Sequence, residues 1–142
     1  MWRDFEILDR VAFVTSALNL APDGSTVFLE GRLWSPLLVD LVQFEVRDLR
    51  VRKSTFIPYT RIRAYRLNPE SRTVLHMIFR NPLASRELSH VHLHTPYGRM
   101  FEAYHIFDYP GAIAFLDSEM PADAIAELER KEVIKFAEDD AT

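Results

Sequence analysis

Residues 89–105 read SHVHLHTPYGRMFEAYH, and they hold four of the chain's five histidines: His90, His92, His94 and His105. Proline and glycine in Pro96-Tyr97-Gly98 punctuate a turn, and the runs on either side read as two strands. The stretch therefore reads as a β-hairpin, and the domain around it as antiparallel. A two-residue turn centred on Tyr97-Gly98 sets the register. Pro96 then faces Arg99, His94 faces Phe101, His92 faces Ala103 and His90 faces His105. Strand side chains alternate with period two, so His90, His92, His94 and His105 share one face. His76, on the preceding strand candidate, joins them if that strand is the next neighbour.

Two chemistries suit such a face. Neutral imidazole is the commonest protein metal ligand, and a His-x-His pair on a strand supplies two nitrogens to zinc or iron. The outer histidines of a His-x-His-x-His run have Cα atoms roughly 13 Å apart, so two of the three bind together with His105 or His76. The alternative is a solvated or partner-binding face, since histidine is half-buried on average.

Upstream, STVFLEGRLW (25–34) reads as a strand, ended by Ser35-Pro36. VDLVQFEVRDLRVR (39–52) reads as a long strand with a bend, and TFIPYTRIRAYRL (55–67) as a strand that begins at or lies on an edge, because Pro58 donates no ladder bond. NPES (68–71) reads as a turn and RTVLHMIFR (72–80) as a strand with Leu75, Met77 and Phe79 on the core side. Residues 25–108 thus form a run of antiparallel strands. Residues 1–20 read as a helix or as the first strand of a hairpin, with APDG (21–24) as the turn.

Downstream the pattern changes. Pro110 and Pro121 each suit the first turn of a helix, so residues 110–136 read as helical, with the type of 132–136 left open. The tail at 137–142 is polar and frays. Strands followed by helices predict one α+β, mainly β domain over residues 1–142. Its sheet, or small open barrel, has about six strands and is closed by C-terminal helix.

Seven of the 17 lysines and arginines fall between residues 47 and 66, interleaved with aromatics. Arg50 and Arg52 share a strand face, as do Arg61, Arg63 and Tyr65. Arginine forks with a tyrosine grip phosphates, stack bases or receive an acidic partner. A net charge of −4 weighs against nucleic acid as the general partner. The acidic stretch from Asp117 to Asp140 is expected to pack on at least one of these arginines.

The composition narrows the function further. The chain of 142 residues has the size of one domain. It has no cysteine, which removes disulfides, thiolate zinc sites and cysteine nucleophiles, and suits a cytoplasmic protein. Neither a signal peptide nor a membrane span is recognisable. No phosphate-binding loop, nucleophile elbow or zinc-protease helix motif occurs. The sequence therefore points to a non-catalytic, β-rich binding or adaptor domain whose partner is another protein or a second copy. A small histidine-ligated zinc or iron protein is the alternative. Phosphate or nucleic-acid binding through residues 47–66 comes third.

Overall fold

The computed structural model describes residues 3–32, 36–46, 61–104, 106–107, 113–116 and 120–136. The chain opens with strand β1 (Arg3–Ile7) and passes directly into helix α1 (Arg10–Leu20). The helix reading of residues 1–20 thus holds for α1, while the strand before it is not the arm of a hairpin: β1 pairs with strands late in the chain, and APDG follows the helix. Asp4 and Glu6 alternate with buried Phe5 and Ile7, the period of a half-buried strand. The alternation stops at Asp9, whose carboxylate accepts from the Ala12 amide at 3.1 Å and starts the helix. The β-branched Thr15 is tolerated there because its hydroxyl donates to the Val11 carbonyl at 2.7 Å. The APDG turn joins α1 to strand β2 (Thr26–Gly31), with Gly24 at a φ of +88° that favours glycine.

The middle of the chain departs most from the strand reading. Pro36–Phe44 forms a 3-10 helix that buries Leu38 and Leu41, so the start of the expected 39–52 strand is helical. Glu45 then bridges to Tyr65 on strand β3 (Arg61–Arg66). RTVLHMIFR belongs to helix α2 (Pro69–Arg80), not to a strand. The cause is a capping box: Asn68 Oδ1 accepts from the Ser71 amide and Ser71 Oγ accepts from the Asn68 amide, both at 2.9 Å. Pro69 fits the first helical position, where no amide hydrogen is needed. Leu75, Ile78 and Phe79 are buried and Met77 is exposed, which is helical spacing and corrects the expected core position of Met77. Asn81-Pro82 repeats the device and starts the short helix α3 (Pro82–Ser85).

Strands β4 (Leu88–Thr95), β5 (Gly98–Ala103) and β6 (Ile113–Leu116), helix α4 (Ala122–Arg130) and strand β7 (Ile134–Phe136) complete the order. Only the α4 part of 110–136 is therefore helical among the described residues. The apolar run of β6 pairs with both β1 and β5, and a four-residue apolar run carries no period that separates strand from helix. Among the described residues seven strands form one antiparallel α+β sheet in the order β3-β2-β4-β5-β6-β1-β7, with β3 and β7 at its two ends, and these strands do not close into a barrel.

One face of the sheet carries Phe5, Ile7, Val27, Leu29, Val91, Leu93, Phe101 and Ala103, and α1 and α2 pack over it. The Phe13 ring of α1 sits 5.2 Å from Phe5 and 5.0 Å from Phe101, bridging two strands that are not neighbours. Arg72 of α2 ties the helices together. Its guanidinium donates to the Leu18 and Ala21 carbonyls at 2.8 and 2.7 Å and pairs with Asp23 at 2.6 Å. The register of β2 on β4 shifts between Glu30 and Gly31. A Cβ at Gly31 would lie 2.0 Å from the Glu87 carbonyl oxygen, so the close approach of the two backbones there requires glycine. Among the described residues no helix is long and apolar enough to cross a membrane.

Candidate functional site

The second face of the sheet holds the histidine row. Val91 and Leu93 point into the core, so His90, His92 and His94 point away from it, as alternation requires. The turn, however, is centred on Pro96-Tyr97 and not on Tyr97-Gly98. Thr95 pairs with Gly98 and His94 with Arg99; then the register shifts, and Leu93 pairs with Phe101 and His92 with Glu102. Proline suits the first central position of a turn and glycine its end, and the Thr95 hydroxyl accepts from the Tyr97 and Gly98 amides at 3.2 Å each. The bulge leaves Met100 and Phe101 buried side by side. The expected partner of His92, Ala103, is on the core face instead, and Glu102 takes its place. His105, the expected partner of His90, lies outside the described residues.

Around the row the contacts are aromatic. The His90 and His92 rings stack with centroids 6.2 Å apart. Tyr104 stands edge-on to both, at 5.1 and 5.0 Å. Phe28 of β2 packs on His94 at 4.6 Å and is the ladder partner of His92. The Tyr104 hydroxyl donates to Glu102 at 2.7 Å, and Arg99 pairs with the same carboxylate at 3.5 Å. Glu30, buried, is the ladder partner of His90. Two ring nitrogens, His92 Nδ1 and His94 Nε2, are buried with no hydrogen-bond partner among the described residues.

Burial sets the electrostatics. It pushes the His92 imidazole from 6.5 down to about 4; Glu102 opposes the shift, while His90 and His94 add to it. Burial also holds His94 below its ordinary value, with Glu102 opposing and Arg99 assisting. These are uncharged imidazoles at neutral pH, on a face with apolar rings at its centre and a carboxylate at its side.

Among the described residues no three His, Asp or Glu side chains group so as to hold an ion. The His90 and His92 rings lie side by side as stacked plates. His76 belongs to a different layer: it sits on α2, on the core side of the sheet, with its Nε2 2.9 Å from Asn19 Oδ1 of α1. Burial and the neighbouring Arg80 and Arg72 charges lower its pKa.

The arginine segment is only partly described. Arg50 and Arg52 lie outside the described residues, and Arg61 is placed by its backbone at the start of β3. Arg63 pairs with Glu45 at 3.7 Å. Tyr65 is buried in the core, where burial raises its pKa, with the nearby Arg63 opposing, so its ring is not a platform for bases. α4 packs beside β7, the opposite edge of the sheet from β3, so the described acidic helix does not cover Arg63.

A second surface escaped the sequence reading. Val39 and Val42 on the 3-10 helix are 69% and 47% exposed, Leu83 on α3 66%, and Met77 on α2 54%. The 3-10 helix and α3 both pack against α2, so the three elements that carry these exposed apolar side chains adjoin one another. The signal was present in LVDLV (38–42), where apolar residues on both sides of one turn leave some outside whatever the core takes. Comparison of the chain with family models, curated proteins and solved structures finds no significant match.

Proposed function

We propose that this chain is a non-catalytic β-rich binding domain that acts through protein–protein contact. The observation that carries the reading is the patch of Val39, Val42, Met77 and Leu83, four large apolar side chains held in water by three elements packed together. Grouped exposed apolar residues mark binding surfaces more often than scattered ones do. The elements beneath them bury Leu38, Leu41, Leu75 and Ile78, so the patch is displayed on a packed base and loses little freedom on docking.

The occupant that the patch fits is a second copy of the chain. Asp40, exposed, lies between Val39 and Val42 in the chain, and exposed Arg80 and Arg86 stand at the C-terminal ends of α2 and α3. In a two-fold contact the same patch meets itself, so the acid of one copy faces a base of the other. Sedimentation velocity over a concentration series tests this. The wild-type chain is expected to dimerise reversibly, and Val39→Glu and Leu83→Glu to remain monomeric, with unfolding midpoints equal to that of wild type at dilutions where it too is monomeric, because both sites are exposed. A wild-type monomer at every attainable concentration overturns self-association, as does a Val39→Glu protein that dimerises like wild type.

A further inference from the structure

We propose that the row His90, His92 and His94 is an acid-responsive element, in which proton uptake at His92 loosens the β2-β4-β5 part of the sheet. The proposal concerns the face opposite the apolar patch and does not depend on it. A neutral imidazole needs one donor and one acceptor partner; a protonated one needs two acceptors. His92 Nδ1 is buried without a hydrogen-bond partner among the described residues, so a proton placed there becomes a buried donor that none of them is placed to receive. His94 Nε2 is in the same position one row away.

The groups that face His92 offer little relief. On its own strand, His90 stacks at 6.2 Å and His94 lies two residues on, so positive charge on either repels positive charge on His92. From β2 come Phe28 as the ladder partner and Glu30 opposite His90. From β5 come Glu102 and Arg99, and from the residue just after it Tyr104. The Glu102 carboxylate is the one acid directly opposite His92, and it is already engaged by the Tyr104 hydroxyl and the Arg99 guanidinium. β3, the next strand beyond β2, presents Ala64 and Ile62 opposite Phe28 and Glu30.

The direction follows from linkage. The His92 pKa is about 4 in the folded chain against 6.5 for a free imidazole. Above 6.5 both folded and unfolded chains hold it neutral, and it contributes nothing to pH dependence. Below 6.5 the unfolded chain takes the proton first, so stability falls until the folded pKa is passed. The unfolding constant then rises with falling pH by up to about tenfold per unit for this one proton.

NMR titration of the imidazole resonances of the whole chain, with amide exchange read in parallel, is the test. The expected result is that His92 stays neutral well below pH 6.5 and that exchange protection in β2, β4 and β5 drops as the pH approaches its pKa. An ordinary His92 titration near 6.5 with protection unchanged overturns the proposal. His92→Phe keeps a ring and removes the proton; its unfolding midpoint is expected to fall less than that of wild type between pH 6.5 and 4. Parallel midpoint curves for the two proteins overturn it too. If His92→Phe fails to fold, the wild-type titration alone decides.

Discussion

His92 and Glu102 face each other across the β4–β5 ladder, and the one-residue bulge between them and the turn creates that pairing. Without the bulge a different β5 residue would stand opposite the central imidazole, and the face would change its charge. The Glu102 carboxylate opposes the effect of burial at His92. Glu102→Gln is therefore expected to lower the His92 pKa further, read by the same imidazole NMR titration. A rise would mean that the carboxylate is not felt by the ring.

Helix phase in α2 is open to a stability comparison. Leu75→Ala and Ile78→Ala each remove a fully buried side chain and are expected to cost about 2–5 kcal/mol. Met77→Ala, on the exposed side, is expected to cost less than about 0.5 kcal/mol. Chemical denaturation gives all three numbers. A strand over the same residues would make Met77 costly and Ile78 cheap.

At Gly31 the added methyl group of alanine meets the Glu87 carbonyl, a backbone atom that a rotamer change does not move. Gly31→Ala is expected to destabilise the chain by about 1–3 kcal/mol or more, as overpacking does. Thermal unfolding measures it, and a midpoint equal to wild type would show that β2 and residue 87 do not approach this closely.

Arg72 is a fork used on three acceptors at once, two carbonyls of α1 and the Asp23 carboxylate. A lysine has no such geometry. Arg72→Lys is expected to cost nearly as much as Arg72→Ala, about 1.5–3 kcal/mol for hydrogen bonds to a charged group. Recovery of wild-type stability by the lysine variant would make the charge, not the fork, the relevant feature.

What the sequence made legible and what it hid have physical causes. The row of His90, His92 and His94 was readable because alternation over eight residues of β4 has only one phase that buries Val91 and Leu93. Its partner residues were not, because a bulge adds one residue without leaving a mark in composition. α2 was misread as a strand because Leu75, Met77 and Phe79 also fit period two. The deciding signal was local and present: Asn68-Pro69 followed by Ser71 starts a helix, and Asn81-Pro82 starts the next. β6 was misread because Ile113–Leu116 takes its conformation from β1 and β5 on either side, contacts over a hundred residues and about a dozen residues away in the chain. The apolar patch was hidden because hydrophobic periodicity tells which side of a helix is apolar, and in the 3-10 helix both sides are.

The strand order β3-β2-β4-β5-β6-β1-β7 has a further consequence, in time rather than in space. β2 through β5 pair among themselves, so that half of the sheet is able to assemble as soon as residue 103 has been made. β1 precedes them in the chain, yet among the described residues its ladder partners are β6 and β7, which follow β5. During synthesis β1 waits, with Phe5 and Ile7 lacking strand neighbours, until β6 and β7 emerge. Closing so long a loop is the slow kind of folding step. A nascent chain halted before residue 113 therefore carries an unpaired β-strand at its head, the part most open to chaperones and to pairing with a neighbouring chain.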